Sequence, residues 1–567
     1  MKLRADRGGR AASGERGFAL IAILSLAALV SAFLIASALN LTSAGVSNER
    51  EQRSMNALRQ AKAALIAYAA SEQWQKYKGE VTTQPGALPC PDILHDGTEP
   101  KEGDSDCVLP LTSSLIGRLP FKTLGINDLR DASGEKLWYA LSANFRKASG
   151  TTFINSDTQP CDTPACSPGE SHLTVTGIAP ASNVVAIVFA PGEAILGQSR
   201  SSNPTDAAYN NLANYLENFS LGDGIHFTFA TTALPSAAFN DRLLVITQAE
   251  LMAAVEPVVA ARMERDIKPY IQNYFTSWGI YPFAVPFSAP PAAQSSYQGA
   301  SSQTYGLLPI TTDSNFAGWF TSSINVTKIA DGTGSSTVTS NCAGSTVSQI
   351  VCQIDYSGGS GDRPDIQLQA TLRRVARSFL RPAVIGDESM TDNVGNPITW
   401  SSLGSPPLTP TVSNTLQAGG DATVIYTGRL RNAASTGNRV FITVPVPYNP
   451  ITDSLDATAG WFIANQWYRQ TYYAVSPGHV LGGSPACPLP PTSPTSSCLT
   501  VNNLPAPSNN NQAILVFAGR ALNGSTRPSG TLTDYLEGQN ATPADLTFEH
   551  RAGVPTAIND RIVVVSP

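Results

Sequence analysis

From Phe18 to Leu39 the chain runs for 22 residues without a charged side chain. As a helix at ~1.5 Å per residue this is about 33 Å, which matches a hydrocarbon core of ~30 Å. Beyond Asn40 the pattern changes from uniformly apolar to striped. Met55, Leu58, Ala61, Leu65 and Tyr68 recur at steps of three and four, and Gly45 is the sole glycine, with no proline, between Asn40 and Glu72. Such a stripe predicts a helix with one buried side. One helix is therefore expected over residues 18–72, with its transmembrane half at 18–41 and an amphipathic half after it, a rod of about 82 Å.

Past the rod, Gln84-Pro85-Gly86-Ala87-Leu88-Pro89-Cys90-Pro91 punctuates the chain, and short alternating runs follow. Strands are predicted at Leu137–Ser142, Val184–Phe189 and Leu243–Ile246. A second helical stripe, Leu251, Val255, Val258, Val259, Met263, Ile267 and Ile271, predicts a helix over Gln248–Tyr274, with Pro257 its one blemish. From Pro286 to about Asp456 the composition turns to Ser, Thr, Gly, Asn and Pro, with strand-like runs at Ala422–Tyr426 and Val440–Val444. That composition suits either an exposed β insertion or a flexible surface region.

The last hundred residues repeat an earlier series in order. Tyr472-Tyr473-Ala474-Val475-Ser476 echoes Trp138 to Ser142, Leu499-Thr500-Val501 echoes Leu173-Thr174-Val175, and Ile514 to Phe517 echoes Ile187 to Phe189. Asp534-Tyr535-Leu536-Glu537 echoes Asn214 to Glu217, and Ile558-Asn559-Asp560-Arg561-Ile562 echoes Phe239 to Leu243. Five ordered matches at similar spacing indicate an internal duplication. The expected fold is α+β: a leader at 1–17, a long helix at 18–72, a first β-rich module at 73–247, a second helix at 248–285, a β insertion at 286–456 and a second copy of the β-rich module at 457–567.

The leader carries Lys2, Arg4, Arg7, Arg10 and Arg16 against Asp6 and Glu15, a net charge of +3. This keeps the N-terminus cytoplasmic and puts the rest of the chain across the inner membrane. A signal anchor and a secretory signal cut after Ala36-Ser37-Ala38 also fit the leader and apolar run. A short basic leader, then Gly17-Phe18 and a long apolar helix resembles the N-terminus of type IV prepilins and type II secretion pseudopilins. The resemblance covers under a tenth of the chain. It implies cleavage after Gly17 by a prepilin peptidase, N-methylation of Phe18, and packing of the helix among those of other pilins or pseudopilins. It also implies pilin-like modules on the helix and transfer from the inner membrane to a pilus or pseudopilus in the periplasm or at the cell surface.

One position departs from the family. Where pilins usually carry glutamate at the fifth mature residue, this chain has Ala22. A carboxylate in the bilayer is costly unless it meets a positive partner, which in the family is the amine of the neighbouring subunit above. A subunit with nothing above it needs none, so the resemblance implies a minor subunit at the tip or in initiation of the fibre.

Charged residues make up 14% of the 567, with net charge −6, so nothing basic argues for nucleic acid. At this length two or three soluble modules are expected. Eight cysteines fall in close neighbours, Cys90 and Cys107, Cys161 and Cys166, Cys342 and Cys352, Cys487 and Cys498, which outside the cytoplasm reads as four local disulfides. None has C-x2-C spacing and the histidines lie far apart, which disfavours zinc. Asp92, Asp96, Asp104 and Asp106 crowd one glycine-bearing loop that can hold calcium or stand as a solvated acidic loop; related minor pseudopilins bind calcium.

No H-E-x-x-H, G-x-S-x-G or phosphate-loop pattern occurs, and no enzyme activity or other cofactor is expected. Gly103-Asp104-Ser105-Asp106 is a faint hydrolase-like signal in a setting that raises the serine's pKa. The recurring Asn240-Asp241-Arg242 and Asn559-Asp560-Arg561 read as Asx turns that set the entry of a final strand. A surface adhesin using the Ser/Thr-rich middle to contact a surface, DNA or a secreted protein is the alternative, as is an unprocessed single-span envelope protein.

Overall fold

The stripe after Asn40 does form a helix. In a computed structural model, α1 is helical from residue 45 to residue 70. Leu58, Ala61, Leu65 and Tyr68 are buried on one side, and Met55 is half-buried. The structure describes residues 45–71, 84–93, 102–105, 116–146, 153–160, 173–203, 206–220, 227–231, 236–310 except 237, 279 and 301, the strands of 320–445 given below with 394–396, 457–480, 483, 487, 497–551 except 523, and 558–566. The leader and the apolar run, with Gly17, Phe18 and Ala22, lie outside the described residues. Among those described, no helix is long and apolar enough to cross a membrane.

The chain folds as an α+β protein with mixed sheets, divided into two units by their internal contacts. The first gathers residues 1–65, 89–142 and 167–246. Its strands are β1 (Ile116–Arg118), β2 (Trp138–Leu141), β3 (Leu173–Gly177), β4 (Ala181–Ala190), β5 (Phe227–Thr231) and β6 (Arg242–Thr247). They order as β1-β2-β4-β3-β5, with β6 also on β4; β3 and β5 run parallel, and β1-β2, β2-β4 and β3-β4 run antiparallel. Trp138, Ile187, Phe189, Tyr215, Phe227 and Phe229 form the core on one face. Both faces of β2 and of the second half of β4 are buried. The alternating residues are all apolar, as a strand covered on two sides requires. The helix α1 is tied to β6 by polar ends: Lys62 Nζ donates to the Val245 carbonyl at 2.7 Å and Arg242 Nε to Glu51 Oε1 at 2.7 Å.

The second unit takes residues 66–88, 143–166 and 247–567. Its helices are α2 (Gln248–Arg262) and α3 (Lys268–Trp278), joined by a π turn at Met263–Ile267. Thr247 caps α2, its hydroxyl accepting from Glu250 N–H at 3.3 Å, which is half of the Thr-x-x-Glu capping signature. Leu251, Val255, Val259, Met263, Ile267 and Ile271 are fully buried at steps of four, with Met252 buried beside the first of them. On an α-helix that spacing drifts about 40° per step. The π turn, which winds more residues into each turn, takes up part of the drift and keeps the stripe on one side.

Downstream lies β7 (Tyr305–Leu307), then nine strands: β8 (Phe320–Ala330), β9 (Thr337–Asn341), β10 (Gln349–Ser357), β11 (Asp365–Arg374), β12 (Ser389–Asp392), β13 (Pro397–Ile398), β14 (Thr411–Ser413), β15 (Ala422–Arg429) and β16 (Arg439–Pro445). These nine form two antiparallel sheets of their own, β13-β12-β16-β10-β9 and β14-β15-β11-β8. The Ser/Thr-rich middle is thus a β insertion, with strands where Ala422–Tyr426 and Val440–Val444 predict them. The helix α4 (Ala457–Ala464) leads to β17 (Thr471–Val475), β18 (Leu499–Asn502), β19 (Asn510–Asn511), β20 (Ala513–Phe517), β21 (Thr547–Glu549) and β22 (Arg561–Ser566). They order as β22-β20-β17-β7 and β19-β18-β21.

Taken separately, the units share a run of pairings. Arg118, Gly117 and Ile116 stand opposite Trp138, Tyr139 and Ala140 in the first; Leu307, Gly306 and Tyr305 stand opposite Tyr472, Tyr473 and Ala474 in the second. Val175 lies parallel to Phe229 as Val501 lies parallel to Phe548. The glycines at the shared position have the same cause: a Cβ on Gly117 would stand 2.5 Å from the Asp92 carbonyl and one on Gly306 1.8 Å from that of Val285. The register also refines the repeat. Ile187 opposes Ala140 and Ile514 opposes Ala474, so Phe189 corresponds to Val516, one residue away from the match that the shared Val-Phe-Ala suggests. Leu119 N–H meets the Leu137 carbonyl and Leu308 N–H that of Thr471, so the nine-stranded insertion occupies the connection that in the first unit is residues 119–137.

Candidate functional site

The Asn-Asp-Arg turns are the predicted feature that the structure develops most. In the first unit Glu217 N–H donates to Asp241 Oδ2 at 2.7 Å, and Asn240 N–H donates to Glu217 Oε2 at 3.0 Å. In the second, Glu537 N–H donates to Asp560 Oδ2 at 2.8 Å and Asn559 N–H to Glu537 Oε2 at 3.1 Å. Backbone and side chain of the acidic residue are thus held by the turn reciprocally. The turn asparagine closes the ring with its amide, Asn240 Nδ2 on the Glu193 carbonyl at 2.6 Å and Asn559 Nδ2 on that of Arg520 at 2.8 Å.

An arginine completes each cluster. Arg200 Nε donates to the Asn214 carbonyl at 2.8 Å and Nη1 to that of Gly192 at 2.7 Å, with its guanidinium 5.0 Å from the Tyr215 ring centre. Arg527 does the same with Asp534 and Gly519, both at 2.6 Å, and lies 4.6 Å from the Tyr535 ring. The segment Tyr-Leu-Glu is thereby pinned at both ends, by the arginine and by the turn.

Burial decides the protonation of these acids. Asp241 is 7% exposed and Asp560 3%. Desolvation pushes Asp241 up to about 9, the neighbouring Glu217 carboxylate adding to the rise and Arg200 opposing it. Asp560 is likewise held well above the ordinary carboxylate range, by burial first and Glu537 second. At neutral pH burial therefore favours the protonated form of Asp241 and of Asp560. A carboxyl held in this way is a clamp on the last strand. The expected Asx turns do not form: Oδ1 of Asn240, Asp241, Asn559 and Asp560 makes no hydrogen bond within the turn, and the aspartates accept from Glu217 and Glu537 N–H instead. Their partners Glu217, Glu537, Arg200 and Arg527 were not singled out, although the echo of Tyr-Leu-Glu and a glycine three residues before each arginine (Gly197, Gly524) mark them.

The acidic loop is described only in part. Asp96, Asp106 and Cys107 lie outside the described residues, whereas Asp92 and Asp104 lie within them. Asp92 is buried and its Oδ2 accepts from Gly103 N–H at 2.6 Å. Burial raises its pKa to about 7. It lines a narrow cleft with Glu102, Arg118 and Lys136, the last ion-paired to Glu102. Arg118 is itself buried, its guanidinium 4.1 Å from the Trp138 ring centre and 4.2 Å from that of Tyr215. In the second unit the corresponding place between Tyr472 and Tyr535 is filled by Phe287, 6.0 Å from each ring. Among the described residues no group of three or more His, Cys, Asp or Glu is placed to hold a metal ion. Ser105 of the hydrolase-like signal has its N–H on the Thr123 hydroxyl at 2.8 Å.

Cys487 and Cys498 form a disulfide, with Cα atoms 4.9 Å apart. Cys90 is also disulfide-bonded. Cys352 lies in β10, while Cys161, Cys166 and Cys342 lie outside the described residues. No protein-family model, curated protein or solved structure matches this chain.

Proposed function

We propose that this chain is a minor pilin-like or pseudopilin-like subunit, processed between Gly17 and Phe18 and standing at the tip or start of a type IV pilus or type II secretion pseudopilus. The observation that carries the proposal is the behaviour of α1. Residues 45–50 are exposed all round, and only from Ala57 onward does the helix bury a stripe. A helix that leaves its own domain and leads back toward an uncharged run of 22 residues has the design of a spine shared with a membrane or with neighbouring helices. An apolar half-helix is stable in lipid or in a bundle of its kind, so leaving the membrane requires assembly.

The outer part is taken as two tandem pilin-like modules, each a spine helix on a sheet. The equal register of β1-β2 and β7-β17, and the twofold carboxylate clamp, support that organisation. Mass spectrometry of the mature chain tests the proposal. A first residue of N-methyl-Phe18 is expected, and an intact Met1 or a start at Leu39 refutes it.

A second role as adhesin is favoured by one feature, the insertion of nine strands into the β7-β17 connection, which adds two sheets with no counterpart in the first unit. Deleting residues 311–456 with a short linker should abolish attachment and leave assembly intact.

A further inference from the structure

The second unit holds a piece of chain that comes from far away in sequence. Residues 153–160 lie between β2 and β3, yet by their contacts they belong to the second unit. The piece is a turn shaped by its own side chains. Asn155 Oδ1 accepts from Asp157 N–H, and Thr158 Oγ1 accepts from Asn155 N–H, each at 3.0 Å. Bonds of this kind set the turn locally, before it meets any other part of the protein.

The second unit engages this turn through both side chains and backbone. Ile154, Asn155 and Ser156 are buried. Asn155 Nδ2 donates to the Asn465 carbonyl and Ser156 Oγ to Glu256 Oε1, both at 3.2 Å. Gln248 Nε2, at the start of α2, donates to the carbonyls of Ser156 at 3.2 Å and Thr158 at 2.8 Å. Asp157 carries the charge: Gln470 Nε2 donates to its Oδ2 at 2.9 Å and Arg527 Nη1 to its Oδ1 at 3.4 Å.

The first unit shows what Asp157 replaces. There Arg200, the counterpart of Arg527, has Glu135 Oε1 3.3 Å from its Nη1. Glu135 lies in the connection of residues 119–137, whose place in the second unit is taken by the nine-stranded insertion. Among the described residues, the carboxylate paired with Arg527 is Asp157. The Arg527 side chain is only 2% exposed, and a buried guanidinium stripped of its anion is costly. The same guanidinium holds the carbonyls of Asp534 and Gly519, so its position bears on the clamp that Glu537 and Asp560 form at β22.

We propose that the surface made by Gln248, Glu256, Asn465, Gln470 and Arg527 is a recognition site for an Asn-Ser-Asp-Thr turn. Residues 153–160 are its resident occupant, and their seating closes the clamp on β22. The turn acts as a strap. While it is seated, Arg527 is fixed between Asp157 and the Tyr-Leu-Glu segment. When it leaves, Arg527 loses its anion and Glu256 loses the Ser156 hydroxyl, and the turn before β22 loosens. This inference goes beyond the pilin reading and stands whether or not the chain is cut at Gly17.

Native-state hydrogen exchange of the full chain in detergent tests it. Asp157→Ala should raise opening of the β22 amides by about tenfold or more and leave those of β6 unchanged. Glu135→Ala should do the reverse. In a full chain with Asn155, Ser156 and Asp157 all changed to Gly, an excess of synthetic peptide of residues 153–160 should restore protection of β22, and the same peptide carrying Asp157→Ala should not. The proposal is overturned if Asp157→Ala leaves β22 unchanged or loosens β6 equally. It is also overturned if the peptide restores nothing, or if both peptides restore protection alike.

Discussion

Replacing Asp241 by Asn separates a protonated clamp from an ionised one. Asn keeps an oxygen to accept the Glu217 N–H now bound at 2.7 Å, and its amide can donate to Glu217 as a protonated Asp241 does. The groups facing Asp241 are Glu217, on the segment after Tyr215, and Arg200; Gln198 Nε2 also donates to Glu217 Oε1 at 2.6 Å. Folding raises the pKa of Asp241 from 3.8 to about 9, so the folded state holds a proton that the unfolded chain has lost. The stabilisation from this group is then complete below about pH 4 and falls as pH rises through about 9. For one proton the slope is at most about 1.4 kcal/mol per pH unit, so between pH 5 and 7.5 the wild type loses up to about 3 kcal/mol at this site.

Asp241→Asn should remove that slope. It should match the wild type near pH 5 and exceed it near pH 8, read by native-state hydrogen exchange of the β6 amides, which reports local opening without assuming one global transition. A variant that loosens β6 by about 2 kcal/mol or more at every pH would refute a protonated Asp241, since that is the penalty for deleting a paired buried charge. Asp560→Asn is the replicate in the second unit, with β22 as the reporter.

Three further outcomes follow from packing and covalent constraint. Leu58→Ala removes a fully buried side chain of α1 and should destabilise the first unit by about 2–5 kcal/mol, measured by exchange of α1 and β6. Gly306→Ala would drive a Cβ to within 1.8 Å of the Val285 carbonyl, so it should break the β7-β17 edge, seen as lost protection at Tyr305–Leu307. Converting Cys487 and Cys498 to Ser opens a loop closed over 11 residues, at a cost of about 3 kcal/mol in urea unfolding.

The sequence was most informative where a local rule acts alone. The stripe of Leu58, Ala61, Leu65 and Tyr68 foretold α1, and that of Leu251 to Ile271 foretold α2 and α3, because helical period is a property of neighbouring residues. The strand at Trp138 and the one ending at Ala190 were likewise legible from apolar runs. The recurrence of Asn-Asp-Arg and Tyr-Leu-Glu makes a repeat legible in the sequence alone. The π turn was not legible, since a spacing of four is compatible with several windings until packing selects one. Nor was the one-residue offset that pairs Phe189 with Val516, because strand register is set by the partner across the sheet.

What the sequence by itself determined is therefore the helices, a few of the strands, the duplicated motifs and the uncharged run that Gly17 precedes. Only the tertiary structure decided which side chains meet. Glu217 reaches Asp241 across 24 residues of chain, and Gln353, Phe441 and Asn341 align across strands up to 100 residues apart. Helix and strand formation depend on neighbours in sequence, whereas a buried carboxyl clamp or a row of side chains across strands depends on neighbours in space, and those are fixed only when the hydrophobic core has closed.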